Sequence, residues 1–305
     1  MEKSITNQIV LSGLVLVAAA TIFNQKFILS QNQPQKISGL NIEAKNLPSV
    51  YQEVVNQVLP SAGFRTNLIF AQAVKKLVDD GVIDLEKFKQ LYAGEIPADV
   101  LVILTANSNQ PLVINDKTAN TYLNFFWALG LANKTSFNEQ SPLNGPDLNR
   151  FASTGGWSLG QAESGGEYFN RFEIIKLTPR QEQLVLSVAR NTFRPCCDNS
   201  TFFQDCNHGS ALLGALELAA SQGLTETQLY RLALQLNSFW FPDNYVKTAV
   251  YLKLFENKDW RQVNPPEIMS AKYSSISGWL RNVALNLKNI PELTPAGGGG
   301  SCGVQ

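Results

Sequence analysis

Apolar residues recur at helical spacing along most of this chain, and the breaks between periodic stretches carry helix-starting and helix-ending chemistry. Tyr51 to Leu59 and Asn67 to Val78 each carry one apolar stripe, and Asp80-Gly81 stops the second. Asp84 predicts the N-cap of a helix from Leu85 to Tyr92. Val100 to Thr105 (VLVILT) fits a buried strand or a helix segment equally well, because so short an apolar run has no period to decide between them. Leu112 to Ile114 is short and partly β-branched. Asp116 predicts a cap for a helix to about Leu131, with Tyr122, Phe125, Phe126 and Leu129 on one face.

Residues 133 to 170 interrupt the pattern with Gly145, Pro146, Gly155, Gly156, Gly160, Gly165 and Gly166, and read as irregular loops. Periodicity resumes at Thr178-Pro179-Arg180-Gln181, a capping box with proline at the first helical position, which predicts a helix to about Asn191. Ser210 opens a helix over Ala211 to Ser221 that Gly223 ends, and its Ala211, Gly214, Ala215 and Ala219 would admit a close neighbour. A second capping box, Thr225 to Gln228, starts a helix to about Phe239. Tyr245 to Glu256, capped by Asp243, and residues 276 to 288 complete the set. The expected fold is mainly α: a helical globular domain over 48–292 with long irregular loops, divisible into subdomains of about 48–135 and 170–292.

The two ends depart from this pattern. No charged residue occurs from Ser4 to Gln25, and Ile9 to Phe23 is almost wholly apolar. Residues 1–26 therefore read as a membrane anchor, or as a signal segment cleaved near Ala18-Ala19-Ala20, with a buried core helix as the plainer reading. Either of the first two implies an exported, extracytoplasmic protein, tethered to the membrane if the segment stays on. Residues 27–47, with Pro34, read as a linker. Residues 293–305 form a Gly-rich tail in which Cys302 follows Gly297 to Gly300 and Ser301. The stretch Gly299-Gly300-Ser301-Cys302-Gly303 resembles the glycine-cysteine-glycine tail of sulfur-oxidation carrier proteins. That resemblance covers fewer than ten residues, has a serine inserted, and has Val304 in place of the last glycine. It implies a swinging thiol and nothing about the helical body, since that family is β-rich. A disordered tail or a linker sequence explains the same residues.

Composition narrows the function classes. Lysine plus arginine and aspartate plus glutamate both number 25, giving no net charge and no basic face for nucleic acid. No GxxxxGK[ST] phosphate loop occurs, so no nucleotide cofactor is indicated. With 4 cysteines in 305 residues, disulfides cannot be the scaffold.

Three of those cysteines and the only histidine fall together, in Arg194-Pro195-Cys196-Cys197-Asp198-Asn199-Ser200-Thr201-Phe202-Phe203-Gln204-Asp205-Cys206-Asn207-His208. Thiolate and imidazole bind soft and borderline metals, and thiols carry redox chemistry. The segment predicts an inter-helix loop with a zinc or copper site drawn from Cys196, Cys197, Cys206 and His208. Adjacent cysteines strain one tetrahedral ion, so three ligands come easily, and water or Cys302 would take a fourth position. A second reading is a thiol–disulfide oxidoreductase or sulfur carrier, with Cys206, Cys197 and Cys302 as the reactive thiols. A third is a structural or interaction protein with a loop disulfide. Arg194 and a following helix N-terminus would favour a thiolate at Cys206. The expected partners are the membrane and a thiol or metal donor or acceptor protein.

Other motifs carry less. Gly156-Trp157-Ser158-Leu159-Gly160 resembles the nucleophile elbow of α/β-hydrolases, with Asp198 or Asp205 and then His208 in the order that family uses. The flanking residues make a poor strand and a poor helix start, so a turn packed on the body is the simpler expectation. Phe239-Trp240-Phe241-Pro242 reads as core, or as a wall beside the cysteine cluster. Asn133-Lys134-Thr135 and Asn199-Ser200-Thr201 fit the glycosylation acceptor pattern.

Overall fold

Short-range capping sets where several helices begin. A computed structural model describes Leu47–Lys288 and Ile290, so the N-terminal segment, the linker before Leu47 and the tail bearing Cys302 lie outside the described residues. In chain order come α1 (Leu47–Val58), β1 (Phe64–Arg65), α2 (Ala73–Asp79), α3 (Leu85–Gln90), α4 (Ala98–Thr105), β2 (Val113–Ile114) and α5 (Ala119–Ala132). After irregular chain with three 3-10 turns come α6 (Pro179–Asn191), α7 (Asn207–Ser221), α8 (Glu226–Trp240) and α9 (Pro242–Phe255). The described chain closes with α10 (Pro265–Met269), α11 (Ala271–Ser274) and α12 (Ile276–Trp279), which continues through a π turn (Leu280–Ala284) into α13 (Leu285–Leu287). The fold is mainly helical, as expected.

The caps behave as their chemistry requires. Asp84 accepts from the Lys87 amide at 2.9 Å and opens α3. Thr178 and Gln181 bond reciprocally at 2.8 and 3.3 Å and open α6 behind Pro179. Gln228 Oε1 accepts from the Thr225 amide at 2.8 Å at the start of α8.

One element left open by the sequence is settled and three boundaries differ from the sequence reading. Val100–Thr105 is helical: Val100 and Leu104 turn inward while Leu101 and Val102 stay exposed, a four-residue period that buries one face of the run. Only the second half of Asn67–Val78 is helix. Leu68 and Ala71 are instead tied by backbone bonds to Leu112 and Ser108, beside the antiparallel pair Phe64↔Ile114 and Arg65↔Val113, and Ala71 has a left-handed backbone at φ 49°. Thr118, not Asp116, precedes α5. Asn115 Oδ1 accepts the Lys117 and Thr118 amides at 3.0 Å each, while the Thr118 hydroxyl donates to Val113 at 2.6 Å. Asp243 lies inside the first turn of α9, where it pairs with Lys247 at 2.6 Å.

The centre of the body is the crossing of α5 and α7. Every residue of α5 except Asn120 is buried. Gly130 of α5 and Gly214 of α7 meet there: a Cβ on Gly130 would overlap the Ser210 carbonyl, and one on Gly214 would overlap the Phe126 carbonyl. The two backbones touch because neither residue has a side chain, which is the close approach that the small residues of α7 predicted. Ser210 Oγ donates across the crossing to the Trp127 carbonyl at 3.2 Å. Apolar side chains from Leu47 to Ile290 join one buried cluster around this pair.

The crossing also buries an acid. Glu217 of α7 is sealed from solvent and accepts from Asn133 Nδ2 at 3.1 Å, while Asn133 Oδ1 takes the Ile175 amide at 3.0 Å. Burial pushes the Glu217 carboxyl well above its ordinary range, against the Asn133 hydrogen bond, so the carboxyl favours its neutral form. Asn133 is therefore a buried strut, and its acceptor pattern does not mark an accessible glycosylation site. Among the described residues no helix is long and apolar enough to cross a membrane.

Candidate metal centre

The cysteine loop is a strap between α6 and α7 with its neck pinned. The Thr201 amide donates to the Thr192 carbonyl at 2.8 Å and their hydroxyls bond at 2.9 Å. The Phe193 amide donates to Met269 at 2.9 Å, tying the strap to α10. Gln204, fully buried, donates to Asn138 Oδ1 at 3.2 Å and fixes the far end. On the outer side Asp198 accepts from the Ser277 amide at 2.9 Å and from its hydroxyl, and the Ile276 amide donates to the Cys197 carbonyl at 3.0 Å. The hydroxyl and amide of Ser277 hold the Asp198 carboxyl below the usual carboxylate range.

Arg194 organises the interior of the strap. Its side chain is wholly buried, and its guanidinium donates to the carbonyls of Asn199, Ser200 and Phe203 at 2.9, 2.8 and 3.0 Å. It also forms an ion pair with Asp205, and its Nε lies 3.1 Å from Cys206 Sγ. Burial works against the charge, but Cys206, Cys197, Asp205 and Cys196 around it hold the guanidinium above its ordinary value. Gly209 makes room for it: a Cβ there would lie 2.7 Å from Arg194 Cζ.

Cys206 is the N-cap of α7. Its sulfur accepts from the Gly209 amide at 3.4 Å as well as from Arg194. The helix therefore starts at Asn207, a turn earlier than the periodicity suggested, and His208 lies on its first turn instead of in the loop. Cys196 Sγ sits 3.5 Å from Cys206 Sγ, a contact rather than the roughly 2.05 Å of a disulfide bond. The ligand atoms of Cys196, Cys206 and His208 all lie within 4.8 Å of one another. The His208 ring packs against Phe241, centroids 4.4 Å apart, and edge-on to Trp240 at 6.0 Å, so these aromatics wall the cluster as well as joining the core. His208 Nδ1 is buried and has no hydrogen-bond partner among the described residues.

Cys197 takes a different place. With Asp205 and Cys206 it forms a second group of close donors, its sulfur 3.8 Å from Asp205 Oδ1. The Cys196 hydrogen bond pulls the Cys197 thiol down, but the hydrogen bond with Cys206 and burial outweigh it and push the thiol up to about 11. The four predicted ligands thus divide: Cys196, Cys206 and His208 converge, while Cys197 reaches the cluster through Cys206 and Asp205.

The hydrolase pattern does not assemble. Ser158 is exposed in an irregular turn with no strand before it and no helix after it. Trp157 explains the motif, since its indole donates to the Val82 carbonyl at 2.9 Å and its ring packs edge-on to Trp127 at 4.9 Å. Asp198 and Asp205 are committed to Ser277 and Arg194.

Sequence reasoning placed Arg194 near a thiolate but missed its hold on three carbonyls, the Asp205 pair and the need for glycine at position 209. The signal was an arginine beside cysteines in a loop poor in other cations. No family model, no curated protein and no solved structure matches this chain.

Proposed function

We propose that this is an exported, membrane-tethered protein whose strap binds zinc or copper through Cys196, Cys206 and His208. One observation carries the reading: two sulfurs and an imidazole nitrogen lie within 4.8 Å of one another, beside a buried ring nitrogen that no described residue satisfies. Buried polar atoms are almost always paired, so an orphaned imidazole nitrogen beside two thiols calls for a partner. Two thiolates and an imidazole suit zinc or Cu(I). The trio leaves one position of a tetrahedral zinc for water or an incoming thiol. Cys302 fits that role on reach. The segment Ile276–Leu287 rises roughly 17 Å if helical throughout, and the chain from Pro291 to Cys302, fully extended, spans at most roughly 40 Å. Arg194 and the α7 N-terminus both place donors on Cys206 Sγ and would support its thiolate form in the complex. Tethering and export rest on residues 1–26 alone.

The test is elemental analysis with thiol counting on full-length protein purified without oxygen. Near-stoichiometric zinc or copper, lost in His208→Ala and kept in Ser158→Ala, supports the reading. Protein that takes up neither zinc nor Cu(I) on direct titration overturns it.

The 3.5 Å separation of Cys196 Sγ and Cys206 Sγ favours a second reading, a dithiol that exchanges with a partner disulfide. Two thiols here would give one disulfide while the partner disulfide leaves as two thiols, so electrons and protons balance. A measurable midpoint potential near that of cellular thiol couples marks exchange chemistry, and a very low one marks a structural cross-link.

A further inference from the structure

A cleft of about 280 Å³ opens between α8 and the turn Trp260–Pro265, in a part of the molecule that shares no residue with the cysteine strap. Its α8 side is a helical stripe of Arg231, Leu234, Gln235 and Ser238. Trp260, Arg261, Val263 and Pro265 of the turn line it too, with Gln57 of α1 and Phe64 of β1.

The turn is built in advance. Asp259 accepts from the Arg261 amide at 3.0 Å and grips its guanidinium at 2.9 and 3.1 Å. The same carboxylate takes Lys253 and Gln57, each at 3.4 Å, tying the turn to α9 and α1. Those donors, Arg261 first, hold the Asp259 carboxyl far below its usual range. The turn that presents Trp260 is therefore fixed without a ligand, as preformed small-molecule sites are.

Two donors at this cleft lack acceptors. Arg231 forms no ion pair or hydrogen bond with any described residue, whereas Arg194 and Arg261 each hold a carboxylate. Trp260 is the second. The indole N–H groups of Trp127, Trp157, Trp240 and Trp279 each donate to a backbone carbonyl at 2.7 to 3.1 Å. The Trp260 indole has no acceptor among the described residues, although the residue is 7% exposed. Its nitrogen is not among the enclosed unpaired atoms, so it is open to an acceptor in the cleft or to water. A guanidinium and an indole N–H beside aromatic and aliphatic surface suit an anion with a planar apolar body, and a planar anion matches the guanidinium fork.

We propose that this cleft is a binding site for a small aryl carboxylate, its carboxylate on Arg231 and its ring between Trp260 and Phe64. It does not depend on the metal reading. Calorimetric titration of the full-length protein with naphthoate, naphthamide and inorganic phosphate tests it. Naphthoate is expected to bind saturably and naphthamide at least about tenfold more weakly, the effect of one charge-assisted contact. Arg231→Gln, a change at an exposed side chain, is expected to weaken naphthoate by about tenfold or more while leaving the melting temperature unchanged. Trp260→Phe, which keeps a ring and removes the N–H, is expected to weaken it several-fold. Equal affinity for naphthoate and naphthamide, no effect of Arg231→Gln, or no naphthoate binding at about 5 mM would each overturn the proposal. Phosphate binding as tightly as naphthoate would overturn the aryl assignment.

Discussion

Replacing Arg194 by methionine keeps most of the apolar stem and removes every donor from the heart of the strap. The guanidinium is wholly enclosed, and its loss orphans three backbone carbonyls, the Asp205 carboxylate and one donor to Cys206 Sγ. Removing one partner of a buried ion pair costs about 3–5 kcal/mol, because the remaining charge stays desolvated. Asp205 is 21% exposed and recovers some hydration, which places the pair near the lower bound. Each carbonyl deprived of a charged donor adds about 1.5 kcal/mol or more if the strap stays closed. Opening the strap to water relieves those carbonyls but gives up its packing. The expected loss is therefore about 3–5 kcal/mol, read as the shift in urea unfolding free energy at constant m. Arg190→Met is the matched control: its guanidinium only stacks on Phe202, 5.1 Å from the ring centre, and about 1 kcal/mol or less is expected. Arg194→Met/Asp205→Asn should recover part of the loss, since it removes the stranded carboxylate. Cys206 should also react faster with a disulfide reagent in Arg194→Met as the strap opens. A loss no larger than that of Arg190→Met, with unchanged thiol kinetics, would refute the assignment of Arg194 as the strap's organiser.

Gly130→Ala forces α5 and α7 apart where their backbones touch, so a loss of about 1–3 kcal/mol or more is expected by chemical unfolding; neutrality would mean that the crossing is not tight. Glu217 has a raised folded pKa, so its neutral form is the one burial tolerates. Its contribution is intact below the unfolded value of about 4.3 and falls as pH rises from there towards the folded value. Glu217→Gln should therefore gain stability over wild type as pH goes from acid to alkaline, and parallel stability–pH curves would contradict the burial argument. Cys197, with its thiol near 11, should be alkylated slowly at neutral pH and speed up only in strong base, as followed by peptide mapping; a midpoint near 8.5 would overturn that placement.

Features made by neighbours in the chain were legible at once. Asp84 with Lys87 and Thr178 with Gln181 close hydrogen bonds across three residues, so the sequence contains both partners. The cluster of thiols and imidazole was visible for the same reason, as was the suitability of Gly214 for a close crossing. Asp116 misled because Asn115, one residue earlier, takes the Lys117 and Thr118 amides at this turn.

What lies between distant residues was set by tertiary structure alone. That Gly214 meets Gly130, that Glu217 is buried against Asn133, and that Leu68 is tied to Leu112 all depend on which surfaces the helices bury. That Cys206 meets Cys196 and His208 in one group and Cys197 and Asp205 in another depends on how the strap folds around Arg194, and the Arg231–Trp260 cleft had no signal in the order of residues. Hydrogen-bond caps act over one turn of chain, so sequence by itself determined where α3, α6 and α8 start and where chemistry is concentrated. Burial and side-chain packing join residues a hundred positions apart, so only the folded chain decided which donor atoms meet.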